Sequence, residues 1–306
     1  MKPRLYYLGL IHESMIRAVK KLHLPHPGRN RVRTVIAIAA GIAVIGLSVY
    51  FQSEFRTASR YTISGAGDRK LTVPAARTCN KPTVIPMDPG NAQSGVAKGA
   101  YYVTNDSWNA GRYSDLSQRL HVCNYNSWYT IATMNNDTGD GSVKTSPNVQ
   151  ETWYPTPTRL SRWKSITSQF SDVPPGAGPN YGIWEYQYDI WLNGLADINS
   201  TEIMIWTANN GQAPSGSPID QFTDAGRTYT VYYSPAPKQY IAFVAVRGSL
   251  SGSVNLLHFF NYVVSKNWIP ASSTLYQICH GVELVSTNGK PEKFAVDKFS
   301  ITMKSY

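Results

Sequence analysis

The sequence predicts an all-β protein, a sandwich of two antiparallel sheets carrying one short helix. Aromatic residues are plentiful, with 20 Tyr and 8 Trp, while charged residues make up only 16%, a balance that favours strands and disfavours disorder. From about residue 77 onward, runs of strand length alternate with turn segments rich in Gly, Pro, Asn and Ser. A single late segment breaks this pattern with helical spacing, and many strands with one helix fit a sandwich.

In chain order, "QRLHVCNYN", "YGIWEYQYDIWL", "TEIMIWTA", "RTYTVYYS", "QYIAFVAV", "LYQICHGVEL" and "FAVDKFSITM" each fit a strand. Turn signals such as "NNDTGDGS", "PPGAGPN" and "NGQAPSGSP" fall between them. The segment "SGSVNLLHFFNYVVSKNW" places Leu256, Phe259, Phe260 and Val263 at helical spacing behind Ser253, the expected N-cap.

Ahead of this body, residues 1–33 hold eight basic residues against the single acid Glu13, so most of the net charge of +10 belongs to a basic tail. Residues 34–53, "TVIAIAAGIAVIGLSVYFQS", carry no charge and have the length of a bilayer-crossing helix. The flanking arginines put the N-terminus in the cytoplasm and the body outside, membrane-anchored or, if the segment is cleaved as a signal peptide, secreted. Residues 54–76 read as a linker and 77–306 as one domain. The body has no basic excess to suggest nucleic acid as a partner, and a monomer is expected. Without CxxC or HExxH motifs, neither a metal nor another cofactor is expected. Cys79 and Cys123 either pair, as export favours, or join Cys279 as free thiols.

Strand alternation sorts the chemistry onto faces. On "STEIMIW", Ile203 and Ile205 share one face, and Glu202, Met204 and Trp206 share the other. On "YGIWEYQYDIW", Trp184, Tyr186, Tyr188 and Ile190 oppose Glu185, Gln187, Asp189 and Trp191. On "YQICHGVELV", Ile278, His280, Val282 and Leu284 oppose Gln277, Cys279, Gly281, Glu283 and Val285. Three strands thus present Asp189, Glu202 and Glu283 beside polar or aromatic neighbours, a pattern suited to a sugar-binding groove.

These segments, together with "VKTSPNV", "APSGSPI", "VNLLHFFNYV" and "GVEL" followed by "NGK", resemble the signature segments of glycoside hydrolase family 12 and occur in that family's order across residues 79–306. The resemblance implies a β-jelly-roll with a concave substrate cleft and a retaining endo-β-1,4-glucanase activity on cellulose-like polysaccharides. It places Glu202 at the nucleophile, Glu283 at the general acid/base, and Asp189 at an Asp that hydrogen-bonds the nucleophile. Trp108 matches a sugar-stacking Trp with Asp106 beside it, Met204 and Trp206 fall beside the cleaved bond, and Pro214 and Gly216 fall in a loop bordering the cleft. Cys79 and Cys123 match an N-terminal disulfide.

The sequence also departs from the family pattern. "NDSWNA" puts Asp106 where an Asn is usual, Ser146 replaces an aromatic, "ELVSTNG" follows the acid/base, and Cys279 stands where a Gln is common. These departures leave open a preference for xyloglucan or mixed-linkage glucan, or a sugar-binding envelope protein without catalysis. The paired carboxylates favour catalysis. Retaining hydrolysis needs two carboxyls about 5–5.5 Å apart, one to attack and one to donate a proton.

Overall fold

The computed structural model describes residues 80–235 and 238–306. The basic tail, the apolar segment 34–53, the linker and Cys79, and with Cys79 the expected pairing to Cys123, lie outside the described residues. Among the described residues no helix is long and apolar enough to cross a membrane.

The strands are β1 (Thr83–Pro86), β2 (Gly95–Lys98), β3 (Tyr101–Thr104), β4 (Ser117–Asn124), β5 (Ser127–Thr133), β6 (Asn148–Thr152), β7 (Thr158–Arg159), β8 (Trp163–Val173), β9 (Ile183–Leu192), β10 (Thr201–Asn210), β11 (Ser217–Asp224), β12 (Arg227–Ser234), β13 (Gln239–Ala245), β14 (Ser251–Val254), β15 (Thr274–Ser286) and β16 (Glu292–Ser305). The helix α1 spans Leu256–Ser265. One sheet runs β1-β4-β5-β16-β8-β14, and the other runs β11-β12-β13-β10-β9-β15-β6-β3-β2 with β7 against β15. The last two strands are central rather than peripheral: β16 lies between β5 and β8, and β15 between β9 and β6.

The expected strands and the sandwich are present, with two differences. The pair β10–β13 is parallel, because the chain leaves β10 for the sheet edge at β11 and two reversals, through β12 and β13, return it in β10's own direction. The N-cap position of the helix is Asn255, not Ser253, and its side chain makes no capping hydrogen bond. Ser253 instead sits in β14, opposite Gln169 of β8, where ladder pairing outweighs its capping preference.

The core lies between the sheets and uses the predicted inward faces. Trp184, Tyr186, Tyr188 and Ile190 of β9, Ile203 and Ile205 of β10, and Ile278, Val282 and Leu284 of β15 meet Phe170 of β8 and Phe294, Val296 and Phe299 of β16. Phe259 of α1 packs at 4.7 Å from Phe222 and 4.9 Å from Phe243, ring centre to ring centre, closing one end. His280 also points into this core. Its Nε2 is 2.9 Å from Oδ1 of Asp172, both side chains are wholly buried, and its ring stacks on Phe299.

Candidate active site

The second sheet's other face carries the acids. Its three relevant strands are neighbours in the order β10-β9-β15, which alternation alone leaves undetermined. Register aligns Met204, Asp189 and Cys279 in one row across the sheet. Glu202 is level with Trp191 and Gln277, while Glu283 is level with Glu185. Asp189 therefore stands on the central strand, between the levels of the two glutamates.

Glu202 opens β10, and its Oε2 lies 2.6 Å from Nζ of Lys238. Lys238 also stands 4.4 Å over the Trp191 ring. It arrives there because β13 runs parallel to β10, which places Tyr240 beside Glu202 and Lys238 just ahead of it. Tyr240 donates its hydroxyl to Sδ of Met204 at 3.3 Å. Burial, and then the charges of Glu202, Glu283, Glu185 and Asp189, hold that phenol well above its ordinary range.

Asp189 accepts the indole N–H of Trp191 at 3.1 Å, so the hydrogen bond found for it comes from Trp191. Its link to Glu202 is one of charge: burial first, then Glu202 and Glu283, push its carboxyl well above the usual carboxylate range. Glu283 is raised by burial and further by Glu202, while Glu185 works in the other direction. The charge of Glu202 thus adds to burial in favouring the protonated form of Glu283.

The remaining expected residues separate into open and covered positions. Trp108 is 48% exposed, so its indole is free to receive a flat partner. Met204 and Trp206 are each 2% exposed, packed with Ala242 and Val244 beneath Tyr232 and Tyr240. Neither therefore offers an open face. Pro214 is half-buried and Gly216 exposed in the loop from β10 to β11. Gly216 has φ 81°, and a Cβ there would meet the Tyr233 carbonyl oxygen at 2.6 Å, so only glycine fits. Cys279 is a buried free thiol. It donates to Oε1 of Gln277 at 3.3 Å, and burial raises it well above the usual thiol range.

Asp106 reaches the same neighbourhood from the loop after β3. Its Oδ1 accepts from Gln93 at 2.5 Å and its Oδ2 from Asn148 at 3.3 Å. Burial, with Glu283 adding, pushes its carboxyl up to about 7, against the Gln93 hydrogen bond. An unfolded Asp titrates near 4. A folded value above that favours the native state while the group is protonated. The contribution is complete below about pH 4 and is lost as pH rises through about 7. Asp106→Asn removes that slope: its melting temperature relative to wild type rises between about pH 4 and pH 7, as thermal unfolding at stepped pH will show. A difference that stays flat across the window would contradict the assignment.

Three residues of the site escape a sequence reading. Lys238 and Tyr240 depend on the parallel return of β13, which has no local signature. Glu185 shares the alternating face of Asp189, and that face was its only signal.

Residues 99–304 match the sequence profile of Glycosyl hydrolase family 12. The chain belongs to this family. Among curated relatives, a probable xyloglucan-specific endo-beta-1,4-glucanase A from Aspergillus terreus is 28% identical over 219 residues, covering 68% of this chain and 84% of that protein. A protein from Phytophthora nicotianae named an inactive glycoside hydrolase is 24% identical over 221 residues, covering 66% and 86%. Among solved structures, a family 12 xyloglucanase from Bacillus licheniformis, in complex with ligand, superposes with a TM-score of 0.61 at 22% identity. It covers 72% of this chain and 99% of that one. That likeness is one of fold, and it matches the two-sheet architecture of the described residues.

Proposed function

We propose that this family 12 glycosyl hydrolase cleaves internal β-1,4-glucosidic bonds of a glucan main chain with retention of configuration. The observation that carries this is the placement of Glu202, Asp189 and Glu283 on one face of three adjacent strands. Glu202 attacks the anomeric carbon as carboxylate while Glu283 gives its proton to the departing glycosidic oxygen, leaving a covalent glycosyl ester on Glu202. Esterification removes the charge of Glu202, and with it one cause of Glu283's raised affinity for a proton. Glu283 then takes a proton from water, whose oxygen attacks the same carbon and frees Glu202. Asp189 holds a proton beside Glu202, and the cluster titrates as a coupled set.

Trp108 supplies an open stacking surface, and Asp106, Pro214 and Gly216 border the cleft. A polymer substrate places the reaction outside the cytoplasm. The name of the Aspergillus relative puts xyloglucan first among the glucans to try.

The test is release of reducing ends by residues 77–306 from xyloglucan, barley glucan, a soluble cellulose derivative and xylan. Proton NMR follows the anomer formed first. The expected result is cleavage of at least one glucan with the β anomer appearing first. Binding of the polymers without cleavage, or an α first product, overturns the proposal, and the inactive Phytophthora relative makes the former outcome a concrete alternative.

A further inference from the structure

Glu185 lies directly across the β9–β15 ladder from Glu283 and is 0% exposed. No hydrogen-bond donor among the described residues reaches either of its oxygens. Two acids facing each other across a ladder repel when both are charged, and an ionised carboxylate without partners in the interior costs several kcal/mol. One of the two must therefore be neutral. Glu283 is only partly covered while Glu185 is wholly buried, so the charge belongs on Glu283 and the proton on Glu185. Burial first, and then Glu283, hold the Glu185 carboxyl well above the usual carboxylate range.

We propose that Glu185 is a positioning residue that keeps its own proton throughout the cycle and donates it as a hydrogen bond to the Glu283 carboxylate. The inference rests on Glu283 being the acid/base, and it adds a residue through which that group is held. In the first step the Glu283 proton passes to the glycosidic oxygen, and the Glu185 O–H stabilises the carboxylate left behind. In the second step a water proton returns to Glu283. Glu185 gives up nothing in either step, so the pair cycles between neutral and singly negative. It is never doubly negative. The other titratable groups around the pair are Glu202 on β10, Asp189 on β9, Asp106 from the loop after β3, Lys238 just ahead of β13, and Tyr240 on β13.

The test uses the full chain with carboxyl-13C-labelled glutamate, following both resonances by NMR from pH 3 to pH 9. Glu185→Gln and Glu283→Gln supply the assignments. In wild type the Glu185 resonance stays at its protonated position while Glu283 titrates. Ionisation of Glu185 together with Glu283, or before it, overturns the proposal. Glu185→Gln keeps an N–H donor and leaves the Glu283 titration within a few tenths of a unit. Glu185→Leu removes the donor and moves it up by about one unit, the equivalent of one hydrogen bond to a charged group. Equal shifts in both variants would mean that Glu185 only fills space. Because the titration is read without substrate, it stands even if wild type cleaves no glucan, a result that would count against the proposed activity alone.

Discussion

Glu202→Ala lowers kcat on a glucan by about three orders of magnitude or more, and added azide restores turnover with a glycosyl azide of inverted configuration as product. Alanine removes the attacking oxygen and leaves a space beside the anomeric carbon into which a small anion fits. Attack from that side inverts the centre once, whereas the native two-step route inverts it twice. Glu283 still protonates the leaving group, so the first half of the chemistry survives. Lys238 loses its carboxylate partner at 2.6 Å and is then free to attract the incoming anion. Chromatography and NMR of the azide product decide the matter. Residual activity above a tenth of wild type, or a product of retained configuration, would remove Glu202 from the nucleophile's place.

The second large effect is on stability. Asp172→Ala destabilises the domain by about 3–5 kcal/mol, because it leaves His280 buried without its partner. For a folded body of this size that corresponds to a fall in Tm of roughly 10 °C. Both side chains are wholly buried at 2.9 Å, and among the described residues neither Oδ2 of Asp172 nor Nδ1 of His280 has a hydrogen-bond partner. Half of the pair is thus worse than none. Asp172→Leu combined with His280→Phe recovers most of the loss, since replacing both partners removes the buried charge and keeps the volume. Thermal and urea unfolding of the three proteins will show it. A loss below 1 kcal/mol in Asp172→Ala would mean that the pair is solvated or dispensable.

Much of the fold was legible because one face of each central strand is buried. Alternation placed Ile203, Tyr188 and Val282 in the core and Glu202, Asp189 and Glu283 on the opposite face, as observed. Alternation has no power over which strands become neighbours, so the adjacency of β10, β9 and β15 came from the structure, and the assigned roles came from the family likeness. The short strands β1, β2 and β3 escaped because four residues carry too little periodicity to register. β8 escaped although it alternates over eleven residues, its inward positions including Ser168 and Asp172 rather than large apolar groups alone. Ser253 was a plausible cap two residues early, and only its pairing with β8 excludes it. Glu185 was hidden for a different reason. A polar residue on a polar face asks for no explanation until its cross-strand neighbour is known.

The central position of the last two strands has a consequence for the order in which the chain is made. While the ribosome is still holding back the residues after α1, β5 and β8 lack the strand that joins them, and so do β9 and β6. Neither sheet can close, the groove has no Glu283, and the core lacks Phe294, Val296 and Phe299. Emergence of β15 and β16 supplies all of these at once. The nascent chain therefore passes from four open strand edges to a finished protein in a single late event, with no shorter product that is both folded and equipped with the full set of acids.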